Sequence, residues 1–290
     1  MYFIINPIAG QGRSSRIMHD IQNILARKEI PFHGATTDYP GHATKLAMEA
    51  IEKGYRDIIA VGGDGTVFEV VNGLMDSNGS LGVIPAGTGN DFAHGLHLPM
   101  DPAAALEIIL KGEKKRIDIG TANEKVFINV AGTGFDADVL MAFKKTRKIK
   151  ILKGKVAYLL SVLSTLLQYQ FRDVTIEVDE KVYHRKILLV AIANGSYYGG
   201  GMQVAPKANM EDGKLDVCII SCLPKWKIPF LLPKFIKGDH LHFSFVEYYR
   251  GEHVRISSSI PSPLNIDGEL VGSTPLECSL KPLSLSVFVS

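Results

Sequence analysis

Twice in quick succession this chain runs an apolar strand directly into a glycine-rich turn. Asp57-Ile58-Ile59-Ala60-Val61 leads into Gly62-Gly63-Asp64-Gly65-Thr66, and helical spacing follows over 67–75. Leu81-Gly82-Val83-Ile84-Pro85 leads into Ala86-Gly87-Thr88-Gly89-Asn90-Asp91-Phe92. The strand runs are apolar without alternation, so both faces must be covered. Further strand-like runs at 3–5 and 31–36 and helical spacing at 14–27, 42–53 and 101–111 complete the alternation. The pattern predicts a mostly parallel sheet with helices on both faces. Ligands of such sheets bind beyond the carboxyl ends of the strands, where both glycine turns fall.

The turns have the composition of a phosphate site. Glycines let the backbone turn sharply and approach a ligand closely. The helix start behind each turn offers free N–H groups and partial positive charge. Asp64 would repel phosphate unless a Mg²⁺ lies between them, so it reads as a metal-linked carboxylate rather than a helix cap. Read in isolation, each turn has an ordinary tight turn as its less favoured alternative. Two of them on neighbouring strand ends point to one polar cleft. Asn6-Pro7-Ile8-Ala9-Gly10-Gln11-Gly12 is a third, weaker loop of this kind. It lacks the third glycine of a dinucleotide fingerprint, and the chain has no P-loop.

Near Asp118 the pattern changes. Strand-like runs at 125–130, 174–178, 186–194, 214–221, 253–257 and 283–289 are separated by Gly, Pro and Asn turns. They predict a second, mainly antiparallel β-domain, giving a division into 1–118 and 119–290. Two helical stretches interrupt it. Residues 144–155 hold seven basic side chains and no acid, and run into a leucine-rich helix at 156–167; 225–237 mixes Trp226, Phe230, Leu231, Leu232 and Phe235 with four lysines. Each reads either as a solvated face or as a surface for anionic lipid. The chain of 290 residues has 32 basic and 30 acidic side chains, which gives no global field for nucleic acid. Three cysteines are too few for a disulfide scaffold, and their spacing is not that of a zinc site. The absence of a long apolar run or signal sequence gives the expectation of a cytoplasmic protein that touches membranes from the side.

Asn6-Pro7 with Gly10, Gly62–Thr66 and Gly87-Thr88-Gly89-Asn90-Asp91-Phe92-Ala93 together resemble the diacylglycerol kinase catalytic domain. The resemblance extends through 129–136, Asp212-Gly213 and Asp267-Gly268-Glu269, and so covers nearly the whole chain. Gly-Gly-Asp-Gly-Thr also occurs in NAD kinases and phosphofructokinase relatives; the segment at 87–93 is the discriminating one. The resemblance implies a nucleotide domain of NAD kinase/phosphofructokinase-like α/β fold and a C-terminal β-sandwich with the active site between them. It implies ATP- and Mg²⁺-dependent phosphorylation of a lipid hydroxyl, most simply diacylglycerol to phosphatidic acid. Carried over by position, Asn6, Thr37, Gly63, Asp64, Gly65, Thr66, Glu69 and Thr88 would contact nucleotide. Asp64 and Asp91 would organise the catalytic Mg²⁺, and Glu269 would be the general base. A second, structural Mg²⁺ would use Asp212 with the carbonyls of Asn209 and Lys214, and Asp216 would link that turn to the active site. The implied partners are a lipid substrate at a membrane surface and anionic headgroups, not nucleic acid, with a homodimer left open.

From the residues alone, Asp267-Gly268-Glu269 is foremost a hairpin turn with solvated acids, and 209–214 is as much a plain turn as a cation loop. An NAD or sugar kinase of the same superfamily, and a non-catalytic nucleotide- or lipid-binding relative, are the competing functions.

Overall fold

The computed structural model describes residues 1–146 and 154–290. The first part alternates: β1 (Tyr2–Ile5), α1 (Arg13–Arg27), β2 (His33–Thr36), α2 (His42–Glu52), β3 (Asp57–Gly62), α3 (Asp64–Leu74), β4 (Ser80–Pro85), the short α4 (Asp91–Gly95) and α5 (Pro102–Lys111). Strands β2, β1, β3 and β4 pair in that order, all parallel. Ile58, Ile59, Ala60 and Val61 are fully buried, as strands covered on both faces require. Helix α1 buries one stripe of Ile17, Met18, Ile21 and Leu25. Helix α5 carries its own boundaries: the Asp101 carboxylate accepts from the Ala104 N–H at 2.9 Å, Pro102 opens the first turn, and Gly112 ends it at φ 80°.

The second part is antiparallel: β5 (Lys114–Ala122), β6 (Lys125–Phe127), β7 (Val130–Gly134), α6 (Phe135–Thr146), α7 (Gly154–Gln168), β8 (Arg172–Val178), β9 (Lys181–Ala193), β10 (Leu215–Ser221), α8 (Ile228–Ile236), β11 (Val246–Gly251), β12 (Val254–Ser258), β13 (Pro263–Ile266), β14 (Glu269–Ser273) and β15 (Leu276–Phe288). The inner strand faces close on a core of Phe127, Ile176, Ile192, Val217, Ile256 and Leu276. A third apolar cluster lies outside the sheet, where α6, α7 and α8 pack on β9 and β10.

Strand β15 belongs to both parts. Its first residues pair with β12, both of its halves pair antiparallel with β5, and Ser286 and Val287 also pair in parallel with Ser80 and Leu81 of β4. The run expected at 283–289 is thus the second half of a longer strand that carries the sandwich onto the edge of the parallel sheet. The strand expected at 125–130 is broken in two, because the N–H groups of 128–130 turn to a carboxylate instead of a neighbouring strand. The stretch 225–237 is a short 3-10 turn followed by α8. The basic run at 144–155 lies largely outside the described residues; α6 carries Lys144 and Lys145 at its end.

Candidate active site

Three glycine loops meet at the carboxyl ends of β1, β3 and β4, and glycine is required where they touch. A Cβ on Gly87 would lie 2.5 Å from the Gly63 Cα, and one on Gly10 would lie 2.1 Å from the Ala86 carbonyl oxygen. The loops therefore pack backbone to backbone, and their strand-end positions open one cavity of about 870 Å³. Asn6, Thr37, Gly63, Asp64, Gly65, Thr66, Glu69 and Thr88 all line it. So does Gly268, at the tip of the β13–β14 hairpin from the other part of the chain.

Several polar side chains of this cavity are tied down. The Asn6 amide donates to the Thr66 hydroxyl at 3.1 Å, and the Ser14 hydroxyl donates to the Asn6 carbonyl. Glu69 does more than line the wall. Its carboxylate accepts from the N–H groups of Gly41 at 2.8 Å and Ala43 at 3.0 Å, which caps the start of α2 with a negative charge.

Helix α3 begins at Asp64, earlier than the expected 67, with Gly63 as an N-cap that makes no side-chain bond. Asp64 is accordingly not the cap of its own helix. Its carboxylate accepts from the Phe92 N–H at 3.1 Å, joining the first glycine loop to α4. Asp91 is buried, and its carboxylate accepts from the N–H groups of Gly200 at 2.8 Å and Gly201 at 2.6 Å. The two carboxylates converge at Gly89, where a Cβ would stand 2.9 Å from Asp64 Oδ2 and 3.6 Å from Asp91 Oδ2. Burial, and then the Asp91 charge, push the Asp64 carboxyl up to about 6. Burial raises Asp91 as well, opposed by its two N–H donors. A desolvated acid on the wall of this cavity, with a second buried acid close behind it, fits a hard cation, which would relieve both effects.

Glu269 opens β14 one residue beyond the cavity wall. It is exposed, and its carboxylate accepts from Lys144 of α6 at 2.7 Å. Asp267 differs from the solvated turn acid expected of it. The turn is a two-residue hairpin turn, with Asp267 at φ 46° and Gly268 at φ 84°. The Asp267 carboxylate, however, points inward and accepts from the N–H groups of Ile128, Asn129 and Val130 at 2.6, 2.9 and 3.0 Å. Burial pushes it up to about 6 against those donors, and Asp64 adds to the rise. Asp267 thus fixes the hairpin that presents Gly268 and Glu269.

The turn at 209–214 is held by its own hydrogen bonds and by one ion pair. Asp212 pairs with Arg250 and accepts from the Lys214 N–H at 3.1 Å, and the Asn209 side chain accepts from the Glu211 N–H at 3.1 Å. Among the described residues no cluster of three or more His, Cys, Asp or Glu is placed to hold a metal. Asp118, which sequence reasoning used only as a boundary, is buried and ties this turn to β15: it accepts from Gly213 at 2.8 Å and Leu283 at 2.7 Å. Its signal in the sequence was a lone acid inside an apolar strand.

Residues 1–122 match the family model described as the diacylglycerol kinase catalytic domain, and 129–289 match the YegS C-terminal NAD kinase beta sandwich-like domain. A diacylglycerol kinase of Staphylococcus saprophyticus is 32% identical over 274 residues, which is 94% of this chain and 89% of that one. The chain belongs to the diacylglycerol kinase family. A Staphylococcus carnosus diacylglycerol kinase is similar to the same extent, 32% over 94% of this chain and 89% of its own. The crystal structure of a Bacillus anthracis diacylglycerol kinase superimposes with a TM-score of 0.78 at 26% identity, covering all of this chain and 96% of that one. Family members of this kind are lipid phosphotransferases, and the fold is the expected pairing of an α/β domain with an antiparallel β-sandwich. No helix among the described residues is long and apolar enough to cross a membrane.

Proposed function

We propose that this chain transfers the γ-phosphoryl group of ATP to the hydroxyl of diacylglycerol, giving phosphatidic acid at a membrane surface. The observation that carries the reading is the Asp64 carboxylate, which lines the cavity formed by the three glycine loops with the buried Asp91 carboxylate behind it across Gly89. Phosphoryl transfer makes little covalent demand on a protein and depends on positioning and charge neutralisation. The glycine loops offer backbone N–H groups to the phosphates at close range, and Asn6 with Thr66 orders the wall beside them. Asp64 and Asp91 would hold Mg²⁺, which supplies charge neutralisation to the phosphates when bound. Asp91 also connects the nucleotide side to the sandwich through Gly200 and Gly201.

On the acceptor side, Glu269 takes the proton of the lipid hydroxyl as the oxygen bonds to phosphorus and the bond to ADP breaks. Its partner Lys144 must yield for the carboxylate to reach that hydroxyl, so the base is held ready but engaged until substrate arrives. The test is a screen of dispersed lipids with labelled ATP, read by thin-layer separation. Labelled phosphatidic acid from diacylglycerol, lost on chelation of divalent cations, is expected. Labelling of NAD, or of no lipid, would refute the reading.

A further inference from the structure

The wall of the glycine-loop cavity has two kinds of lining. One is the backbone-rich, acidic part around Asp64 and the glycines. The other is apolar and comes from the segments that follow β1 and β2: Ile8 and Ala9 from the first, Tyr39 and Pro40 from the second. Phosphates account for the first part and give no reason for the second. The two segments leave the sheet side by side. Ile5 and Thr36 are register partners at the ends of β1 and β2, and the Thr37 N–H donates to the Ile5 carbonyl at 2.8 Å. Ile8 and Tyr39 each stand three residues beyond that pair, on neighbouring stretches of the wall.

Both side chains are open to solvent, Ile8 at 80% and Tyr39 at 48% exposure. A lone exposed apolar side chain needs no explanation. Two on one cavity wall, one of them built into a fixed stack, do. The Tyr39 ring lies 4.5 Å from the His42 ring and 6° from parallel to it. The stack is held from several sides. The Asp38 N–H donates to His42 Nδ1 at 3.1 Å, the His42 N–H donates to the Tyr39 carbonyl at 3.1 Å, and Lys45 Nζ donates to the Tyr39 hydroxyl at 3.3 Å. Glu69 fixes the residues on either side of His42 through the Gly41 and Ala43 N–H groups. Tyr39 is thus an aromatic ring backed on one face and set rigidly into the wall of a phosphate-sized cavity.

We propose that Tyr39 is a specificity residue for the phosphoryl donor: its ring stacks on a purine base, His42 backs the ring, and Ile8 covers the base from the β1 side. This rests on the lipid-kinase reading and deepens it by naming what selects the nucleotide. A ring held in place before the ligand arrives loses little freedom on binding. Every base has a π-face, so a stacking platform grades bases by stacking strength and favours the larger purine over a pyrimidine.

The experiment titrates the protein at fixed Mg²⁺ with ATP, CTP and inorganic tripolyphosphate, and measures lipid phosphorylation separately. Wild type should bind ATP roughly tenfold or more tightly than CTP. Tyr39→Leu should weaken ATP by roughly tenfold, bring ATP and CTP within about threefold of each other, and leave tripolyphosphate unchanged. Tyr39→Phe keeps the ring and should keep the preference, while Ile8→Ser should weaken ATP and not tripolyphosphate. Both positions are exposed, and thermal melting checks that each variant folds. ATP bound by folded Tyr39→Leu as tightly as by wild type would overturn the proposal. So would equal losses on ATP and tripolyphosphate, which would make Tyr39 a shaper of the loop, and so would a wild type that binds ATP and CTP alike. A wild type with the expected binding pattern that phosphorylates no lipid would leave the platform standing and overturn the lipid-kinase reading instead.

Discussion

Asp64→Asn should make this protein more stable while removing its activity. The carboxyl rises from its ordinary 3.8 to about 6, chiefly through burial and then through Asp91. Each pK unit corresponds to about 1.4 kcal/mol, so the ionised form is disfavoured by about 3 kcal/mol in the folded state. The folded pKa lies above the unfolded one. The cost is therefore fully present above pH 6, shrinks as pH falls through the window, and is gone below about 4. Asparagine keeps an oxygen for the Phe92 N–H and removes the charge facing Asp91. Unfolding entropy of roughly 2.1 cal/mol/K per residue converts a gain of about 3 kcal/mol into roughly 5 °C in Tm for a chain of this length. The assay is thermal unfolding of wild type and variant in chelator at pH 7.5 and pH 4. A gain at pH 7.5 that disappears at pH 4 is expected. Adding Mg²⁺ should then stabilise the wild type and not the variant, since a ligand of the folded state alone raises its stability. A variant less stable than wild type at pH 7.5, or a gain that persists at pH 4, would refute the account of two crowded carboxylates.

Other outcomes follow from neighbouring geometry. Glu269→Gln should lower kcat by roughly 10²–10⁴ while ATP affinity, titrated separately, stays within a small factor, because the lost interaction belongs to the transition state; a normal single-turnover rate would remove Glu269 from the mechanism. Gly87→Ala should weaken nucleotide binding at least tenfold, since its Cβ would meet the Gly63 backbone at 2.5 Å and part the two loops; nucleotide titration at unchanged helical content checks this. Trp226→Ser with Phe230→Ser, at positions 68% and 76% exposed, should reduce sedimentation with phosphatidylglycerol vesicles and raise solubility. Lys144→Ala should weaken vesicle binding at low salt more than at high salt, and equal binding at both would assign Lys144 to Glu269 alone.

Much of the glycine-loop cleft was legible because its chemistry is local. A strand, a glycine turn and a helix start lie within a few consecutive residues, so their spacing alone announces a phosphate-sized cleft. The eight residues assigned to that cleft do line one cavity. Their individual duties were less visible. Glu69 caps α2, and Asp64 reaches to α4 rather than capping α3, because these partners lie 26 to 28 residues away along the chain.

The hairpin at 267–269 and its surroundings depend on contacts between distant segments, which no local spacing encodes. Asp-Gly at 267–268 correctly announces a hairpin turn, yet nothing in those two residues says that the Asp267 carboxylate turns inward to three N–H groups about 138 residues earlier. Asp136 looks like any acid in a helix's first turn until α7, α8 and β9 enclose it in an apolar slot. The sequence by itself determined the parallel sheet, the glycine loops and the antiparallel second half, because periodicity and turn chemistry are properties of neighbours. Only the tertiary structure decided which acids became desolvated, because desolvation depends on every segment packed around a group and not on the residues beside it in the chain.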